Sequence, residues 1–330
     1  MARARRVPRI AFFSHKGGVG KTTLSANTAF ALAAFENKRV LILDTDPQCN
    51  LTSYLLPDDT VNQLLQESDT AQGRTLWTAV RPVANLEGPP LVPVPFSANN
   101  VFLLPGDIRL SEFEQLLGDA WTDCFKRRLG AFRAMAAFST IIDNVAEAFD
   151  IDIVFYDTGP NIGPLNRTIL LDCDGFMVPV ACDLFSERAL STLGQSIKNW
   201  IIDWNTVRTV APPGATLLPG HPAFVGYVPQ NFRTYGQQMA KAPSYYLRRI
   251  ERRIYRDLFQ VLHDLDPTLV PASATQSRLG QVKTFGRLIQ EAQSTGIGVF
   301  ELPNATDDEL SDAKEAFSGL ARQILSRIGA

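Results

Sequence analysis

Apolar residues in this chain fall into two kinds of run. Nearly continuous apolar stretches lie at 10–13, 39–43 (RVLIL), 101–104, 151–156 (IDIVFY), 175–181 (GFMVPVA) and 224–228. Consecutive apolar positions fit strands buried on both faces, as in a parallel sheet. Between them lie stretches with helical spacing: 24–35, much of 121–149, about 186–204, 245–262 and 307–328. In the last, Leu310, Ala313, Phe317, Leu320 and Ile324 recur three or four residues apart. Strand and helix alternate, which predicts an α/β fold: a doubly wound, mostly parallel sheet with helices on both faces.

The stretch 57–150 is harder to divide. Short helices are expected at 60–65 and 75–80, and a proline-rich loop at 88–95 (GPPLVPVP). A helix after 101–104 should start near Asp107 or Ser111. The expectation is one domain over 1–330 with a helical insertion at about 57–150. Trp200 and Trp204, four apart, are expected on the core side of their helix. In 245–262 the apolar face is Leu247, Ile250, Ile254, Leu258 and Val261, within about 80° of one another at ~100° per residue. Arg248, Arg249, Arg252, Arg253 and Arg256 fall opposite. That stripe is either a solvated face or a contact to a phosphate backbone.

Composition narrows the options. The chain has 330 residues, 45% hydrophobic and 20% charged, with a formal net charge of −2. No global basic field draws it to nucleic acid, so any such contact must be local. Four cysteines and three histidines give neither a disulfide framework nor a zinc pattern. The basic opening, with Arg3, Arg5, Arg6 and Arg9, reads as a solvated lead-in to the first strand. It is not a signal peptide, and no stretch is apolar enough to span a membrane. A cytoplasmic protein is expected.

The chemistry is concentrated at three strand ends. After 10–13 comes KGGVGKTT at 16–23, leading into a helix. Strand, glycine-rich loop and helix form a phosphate-binding P-loop. Gly17, Gly18, Val19 and Gly20 would turn backbone N–H groups inward, and the helix would add its positive end. Lys21 would reach the β- and γ-phosphates, Thr22 would offer a hydroxyl to Mg²⁺, and Thr23 would complete the loop. The second strand ends in DTDPQCNLT, with Asp44 and Asp46, and helix capping by Asp46 is the alternative reading. The run 151–156 ends at Asp157, where an acid can hold Mg²⁺.

The general P-loop has glycine where this chain has His15, and a second lysine, Lys16, opens the loop. This arrangement resembles the deviant P-loop of the ParA/MinD family of ATPases. DTDPQCN resembles that family's D-x-D-P-Q-x-N motif, and VPVACDLFSERAL its V-P-V segment. The resemblance is carried by 10–56 and 151–192, and more loosely by 101–117 and 278–296. Gly159, Gln281 and Lys283 depart from the family pattern.

The resemblance implies ATP and Mg²⁺ as ligands and slow ATP hydrolysis. It implies an ATP-sandwich homodimer in which Lys16 reaches the partner's nucleotide. It also implies a water-orienting role for Asp46, a Mg²⁺-supporting role for Asp44, and adenine contact from Pro229 and Gln230. It further implies partitioning or positioning of DNA or a protein cargo, an adaptor or activating partner, and association with the nucleoid if DNA is bound. Two relatives by motif remain as alternatives. One is a MinD-like membrane positioner, disfavoured by a last helix that begins acidic. The other is a nitrogenase-type iron–sulfur reductase, for which only Cys173 and Cys182 could serve.

Overall fold

The computed structural model describes residues 6–230, 232, 234–235, 238–239 and 241–329. Arg3 and Arg5 lie outside them. A seven-stranded sheet forms the centre, in the order β3-β4-β2-β5-β1-β6-β7. Its strands are β1 (Arg9–Phe12), β2 (Val40–Asp44), β3 (Phe96–Ala98), β4 (Val101–Leu104), β5 (Ile153–Asp157), β6 (Gly175–Ala181) and β7 (Ala223–Gln230). All pairings are parallel except β3 with β4. The doubly wound α/β expectation holds.

Each apolar run serves two cores at once. Ile10 and Phe12 face one side and Ala11 and Phe13 the other; Val40 and Ile42 oppose Leu41 and Leu43 in the same way. That is why these strands show no polar alternation. On the first side pack α1 (Lys21–Glu36), α2 (Asn50–Leu55), α13 (Arg287–Thr295) and α14 (Asp307–Ile328). On the second pack α4 (Leu76–Ala84), α5 (Leu110–Phe125), α6 (Leu129–Met135), α7 (Ala137–Ala148), α8 (Pro164–Asp172) and α10 (Leu193–Val210). The stretch 57–150 also holds α3 (Asp58–Glu67), and its β3 and β4 join the main sheet.

Trp204 is fully buried, stacked on Trp121 at 5.9 Å and donating Nε1–H to Leu218 O at 3.1 Å. Ala313, Phe317, Leu320, Ala321, Ile324 and Leu325 of α14 are buried on the core, as expected for a packing helix, and Leu310 and Ile328 are half-buried at its ends.

Three expectations need correction. The helix expected at 186–204 is broken. A short α9 (Leu184–Ala189) and a 3₁₀ turn (Leu190–Thr192) precede α10. The helix at 245–262 is α11 (Lys241–Arg253), a π-helical turn (Ile254–Phe259) and α12 (Gln260–Leu265). A π turn inserts an extra residue, so the buried face slips: Phe259 and Leu262 are buried and Val261 only half-buried.

The third correction concerns Arg9. It is fully buried, not a solvated lead-in. Its guanidinium donates to Asp172 at 2.7 and 2.9 Å and to Ser139 at 2.8 Å, and it pairs with Asp143. Arg6 joins from the surface at 2.8 Å, and Tyr156 donates its hydroxyl to Asp172 at 2.6 Å. Burial opposes the charge on Arg9, but Asp172, Tyr156 and Asp143 together more than offset it and raise its pKa. Asp172 is held below the usual carboxylate range against its own burial, through Arg9 and Arg6.

Both lateral edges of the sheet are closed. β3 is a three-residue strand. Along β7 the returning chain bonds the outer edge: Leu279 N donates to Tyr227 O, Val282 N to Pro229 O and Thr284 N to Phe232 O, at 2.9–3.1 Å.

Candidate nucleotide site

The three carboxylate-tipped strands and the glycine-rich loop converge at the carboxyl end of the sheet, where open α/β sheets place ligands. β1 ends at Phe12, and Ser14 ties the loop's start by donating to Lys16 O at 2.7 Å. Gly20 has φ +86° as α1 begins, a left-handed conformation that favours glycine. A Cβ there would also stand 3.0 Å from Gln230 Oε1. Among the described residues no side chain caps α1, and no acid sits in its first turn. The leading N–H groups of the helix are therefore left for a ligand, and an anion there meets the positive end of the dipole.

Lys21 is 8% exposed, with Asp157 and Asp46 as its charge partners. Burial lowers its pKa, and the two carboxylates work against that. Thr22 donates its hydroxyl to Asp157 Oδ2 at 2.8 Å. Asp157 Oδ1 is buried and has no hydrogen-bond partner among the described residues. Burial pushes Asp157 up to about 6, with the Thr22 hydrogen bond and Lys21 opposing. A buried orphan carboxylate oxygen beside a threonine hydroxyl and a lysine fits a hydrated Mg²⁺ shared with phosphate oxygens.

Asp44 is turned away from this opening. It is fully buried, and Oδ2 accepts from Thr52 N at 2.8 Å and Thr52 Oγ1 at 2.7 Å. Oδ1 accepts from Asp46 N at 3.3 Å, and Gly106 N donates to Thr52 Oγ1 at 2.8 Å. Burial first, and then the charge of Asp157, pushes Asp44 up to about 7. In this state Asp44 ties β2 to α2 through Oδ2.

Asp46 is 7% exposed and its Oδ1 accepts from Gln48 N at 3.0 Å. Helix α2 starts at Asn50 after Cys49, so Asp46 closes a turn and does not cap the helix. Space does not demand the unusual Gly159, since a Cβ there would meet Asp46 Oδ1 at 3.5 Å.

Pro229 and Gln230 close β7. Gln230 is 2% exposed and lies against Gly20, and its Nε2 is buried without a partner among the described residues. The structure thus sets Gln230 beside the phosphate loop.

Lys16 does not lean over its own loop. Its ammonium pairs with Asp183 and lies 3.4 Å from Ser186 Oγ. Asp183 caps α9, accepting from Ser186 N at 2.8 Å. Burial opposes ionisation of Asp183, but Lys16 and the Ser186 N–H hold it below the usual range. Sequence reading missed Asp183 in this role. An Asp-x-x-Ser step after a strand is a cap signal, but it does not say which cation the carboxylate meets.

The arginine stripe divides. Arg249 and Arg253 lie 2.8 and 3.5 Å from the buried Glu187 carboxylate, and Arg253 and Arg256 also pair with Asp257 at 3.1 and 2.6 Å. Arg248 and Arg252 make no ion pair among the described residues. Cys173 and Cys182 are both buried, and among the described residues no group of His, Cys, Asp and Glu is set to hold a metal unaided.

A family model described as an AAA domain matches residues 7–207, more than half of the chain. The chromosome-partitioning ATPase Soj of Thermus thermophilus is 28% identical over 264 residues, covering 74% of this chain and 88% of Soj. Of other curated relatives the chain spans less: 65% of one and 61% of another. Among solved structures, a protein of Corynebacterium diphtheriae superposes with a TM-score of 0.73 at 24% identity, covering 98% of this chain and 99% of that one. A ParA from pNOB8, solved bound to nonspecific DNA, gives 0.58 at 16% identity, covering 98% and 99%. These two likenesses concern the fold, and no helix among the described residues is long and apolar enough to cross a membrane. With the deviant loop, the D-x-D turn and the Asp157 strand end assembled at one site, the chain belongs to the ParA/MinD-type family of P-loop proteins.

Proposed function

We propose that this protein is an ATP-dependent switch. It binds ATP at the loop 16–23, pairs with a second copy, and resets by slow hydrolysis. The observation that carries the reading is the buried Lys21 among Asp157, Asp46 and the Thr22 hydroxyl, below an uncapped helix end. Thr22 and Asp157 would hold Mg²⁺, with Asp44 behind them. When bound, the ion supplies positive charge to the phosphates. Lys21 binds phosphate oxygens, Asp46 orients the attacking water, and Gln230 with Pro229 bounds the pocket near the base.

Lys16 serves the other chain's site. Its side chain leaves the loop for Asp183, so its reach is outward. Exchanging Asp183 for a phosphate across a two-fold axis would place its charge on the transferring group, as an arginine finger does. The partitioning role is supported by the likeness to Soj. The bound DNA of the pNOB8 ParA supports a phosphate-backbone contact here, through Arg248 and Arg252 first. Such contact would place the protein on the nucleoid in the cytoplasm, with a cargo adaptor or activating protein as its partner. The packed apolar face of α14 speaks against a membrane-binding role.

The test is a mixing experiment. Lys16→Ala should bind ATP as a monomer and lose ATP-dependent dimerisation and turnover together. Mixing it with Asp46→Ala chains should restore one composite site, with intact Asp46 facing intact Lys16. If Lys16→Ala alone dimerises in light scattering and hydrolyses at the wild-type rate, the trans mechanism is wrong.

A further inference from the structure

Glu187 stands between the phosphate loop and the arginine face. It is 5% exposed, on α9, one residue after the Ser186 that lies beside the Lys16 ammonium. Its carboxylate meets Arg249 and Arg253 of α11. Oε1 accepts from an Arg249 terminal nitrogen at 3.1 Å and lies 3.5 Å from Arg253 Nε. Oε2 lies 2.8 Å from Arg249 Nε but off the hydrogen-bond direction, so it is buried with charge compensation alone. Within five residues, α9 and its cap thus bind the P-loop lysine through Asp183 and two arginines of α11 through Glu187.

A buried carboxylate is costly to leave unpaired, so Glu187 keeps its arginines while α9 stays in place. An arginine held this way is poorly placed to neutralise a DNA phosphate. Arg248 and Arg252, on the same helix, make no ion pair among the described residues. Five arginines therefore do not make five available charges. The 3₁₀ turn at Leu190–Thr192 separates α9 from α10. A one-turn helix with a break behind it can shift without dragging α10 along.

We propose that Glu187 couples the state of Lys16 to the DNA-binding capacity of α11. While Lys16 rests on Asp183, Glu187 holds Arg249 and Arg253 back from phosphates. When Lys16 leaves Asp183 for a partner's nucleotide, α9 loses its anchor and Arg249 becomes available, while Arg253 keeps Asp257. The proposal rests on the reading that the arginine face binds DNA, and its partner is a duplex read through phosphates without sequence preference. Glu187 is here a positioning residue, with no contact to nucleotide or DNA.

The experiment uses full-length, nucleotide-free protein and a fluorescent duplex of arbitrary sequence, with anisotropy measured from 50 to 200 mM salt. Each further phosphate neutralised steepens the plot of log affinity against log salt by about 0.9. Releasing Arg249 in Glu187→Gln, with Arg253 still paired to Asp257, should steepen it by about 0.9 and tighten binding up to roughly 8-fold at 0.1 M salt. In an Arg249→Ala, Arg253→Ala background the same change should do nothing. Asp183→Asn, which keeps a capping side chain but drops the charge under Lys16, should move the curve toward that of Glu187→Gln. Loss of the double-arginine dependence overturns masking. A wild-type curve for Asp183→Asn, beside a steepened Glu187→Gln, overturns the link to Lys16. The underlying DNA reading fails separately, if Arg248→Glu with Arg252→Glu leaves retention of the duplex unchanged.

Discussion

Replacing Asp172 by asparagine removes one charge from the most buried ion pair in the structure and little else. Arg9 is fully buried, and Asp172, its buried charge partner, lies 2.7 Å away. Breaking a buried pair by neutralising one member costs about 3–5 kcal/mol, because the other charge stays buried. Two features place this case at the low end. Asp143, 60% exposed, still faces Arg9, and asparagine's carbonyl can take the Oδ1 place and accept from Arg6 while its amide N–H donates to the Tyr156 hydroxyl. The expected loss is therefore about 3 kcal/mol. Asp172→Leu also orphans the buried Tyr156 hydroxyl, which adds about 1–3 kcal/mol. Urea unfolding followed by far-UV circular dichroism gives the comparison. A double variant, Arg9→Met with Asp172→Leu, should recover much of the loss, since an apolar pair of similar size leaves no stranded charge. A cost below about 1 kcal/mol for Asp172→Asn would mean that water reaches Arg9 and that the network is a surface feature.

Lys21→Ala should abolish tight ATP binding in isothermal titration: loss of charge-assisted hydrogen bonds to phosphate, at about 1.5–3 kcal/mol each, predicts at least a tenfold loss. Near-wild-type affinity would refute the site. Asp46→Ala should keep Mg²⁺–ATP binding within a few-fold, lose turnover and accumulate as an ATP-bound dimer by size-exclusion chromatography; lost nucleotide binding would make Asp46 structural. The folded pKa of Asp172 is depressed below its ordinary 3.8, so its stabilisation is present above that pH and is lost as pH falls through the lower folded value. Between pH 5 and 2 the wild type should therefore lose stability more steeply than Asp172→Asn, and parallel losses in urea titrations would count against the pair.

The central strands and the phosphate side were legible for a physical reason. A strand buried on both faces has no polar alternation to confuse, and a loop that cradles phosphate must spell its glycines and lysine at fixed spacing. Arg9 was not legible. A charged residue opening a strand looks solvated until α8 delivers Asp172 from 163 residues away. The break at Leu190–Thr192 was hidden because α9 and α10 together carry helical spacing. Val261 was misplaced because a wheel assumes one angle per residue, and the π turn at Ile254–Phe259 does not keep it. The five arginines could be counted, but only the fold shows that two of them meet Glu187, which sits 62 residues from Arg249. Only the fold shows that Thr52 donates twice to one oxygen of the Asp44 carboxylate.

The closed sheet edges bear on how two copies could meet. A three-residue β3 offers too few backbone groups to template another strand, and the outer side of β7 is already bonded by 279–284. Edge-to-edge growth, the usual hazard of an open sheet, has no starting place at either end. Copies that associate must then do so through side chains and loops. Contacts of that kind can be made and unmade without disturbing a single backbone ladder. If two copies pair and part as proposed, their association surface can be weak and ligand-dependent while the core never enters the exchange.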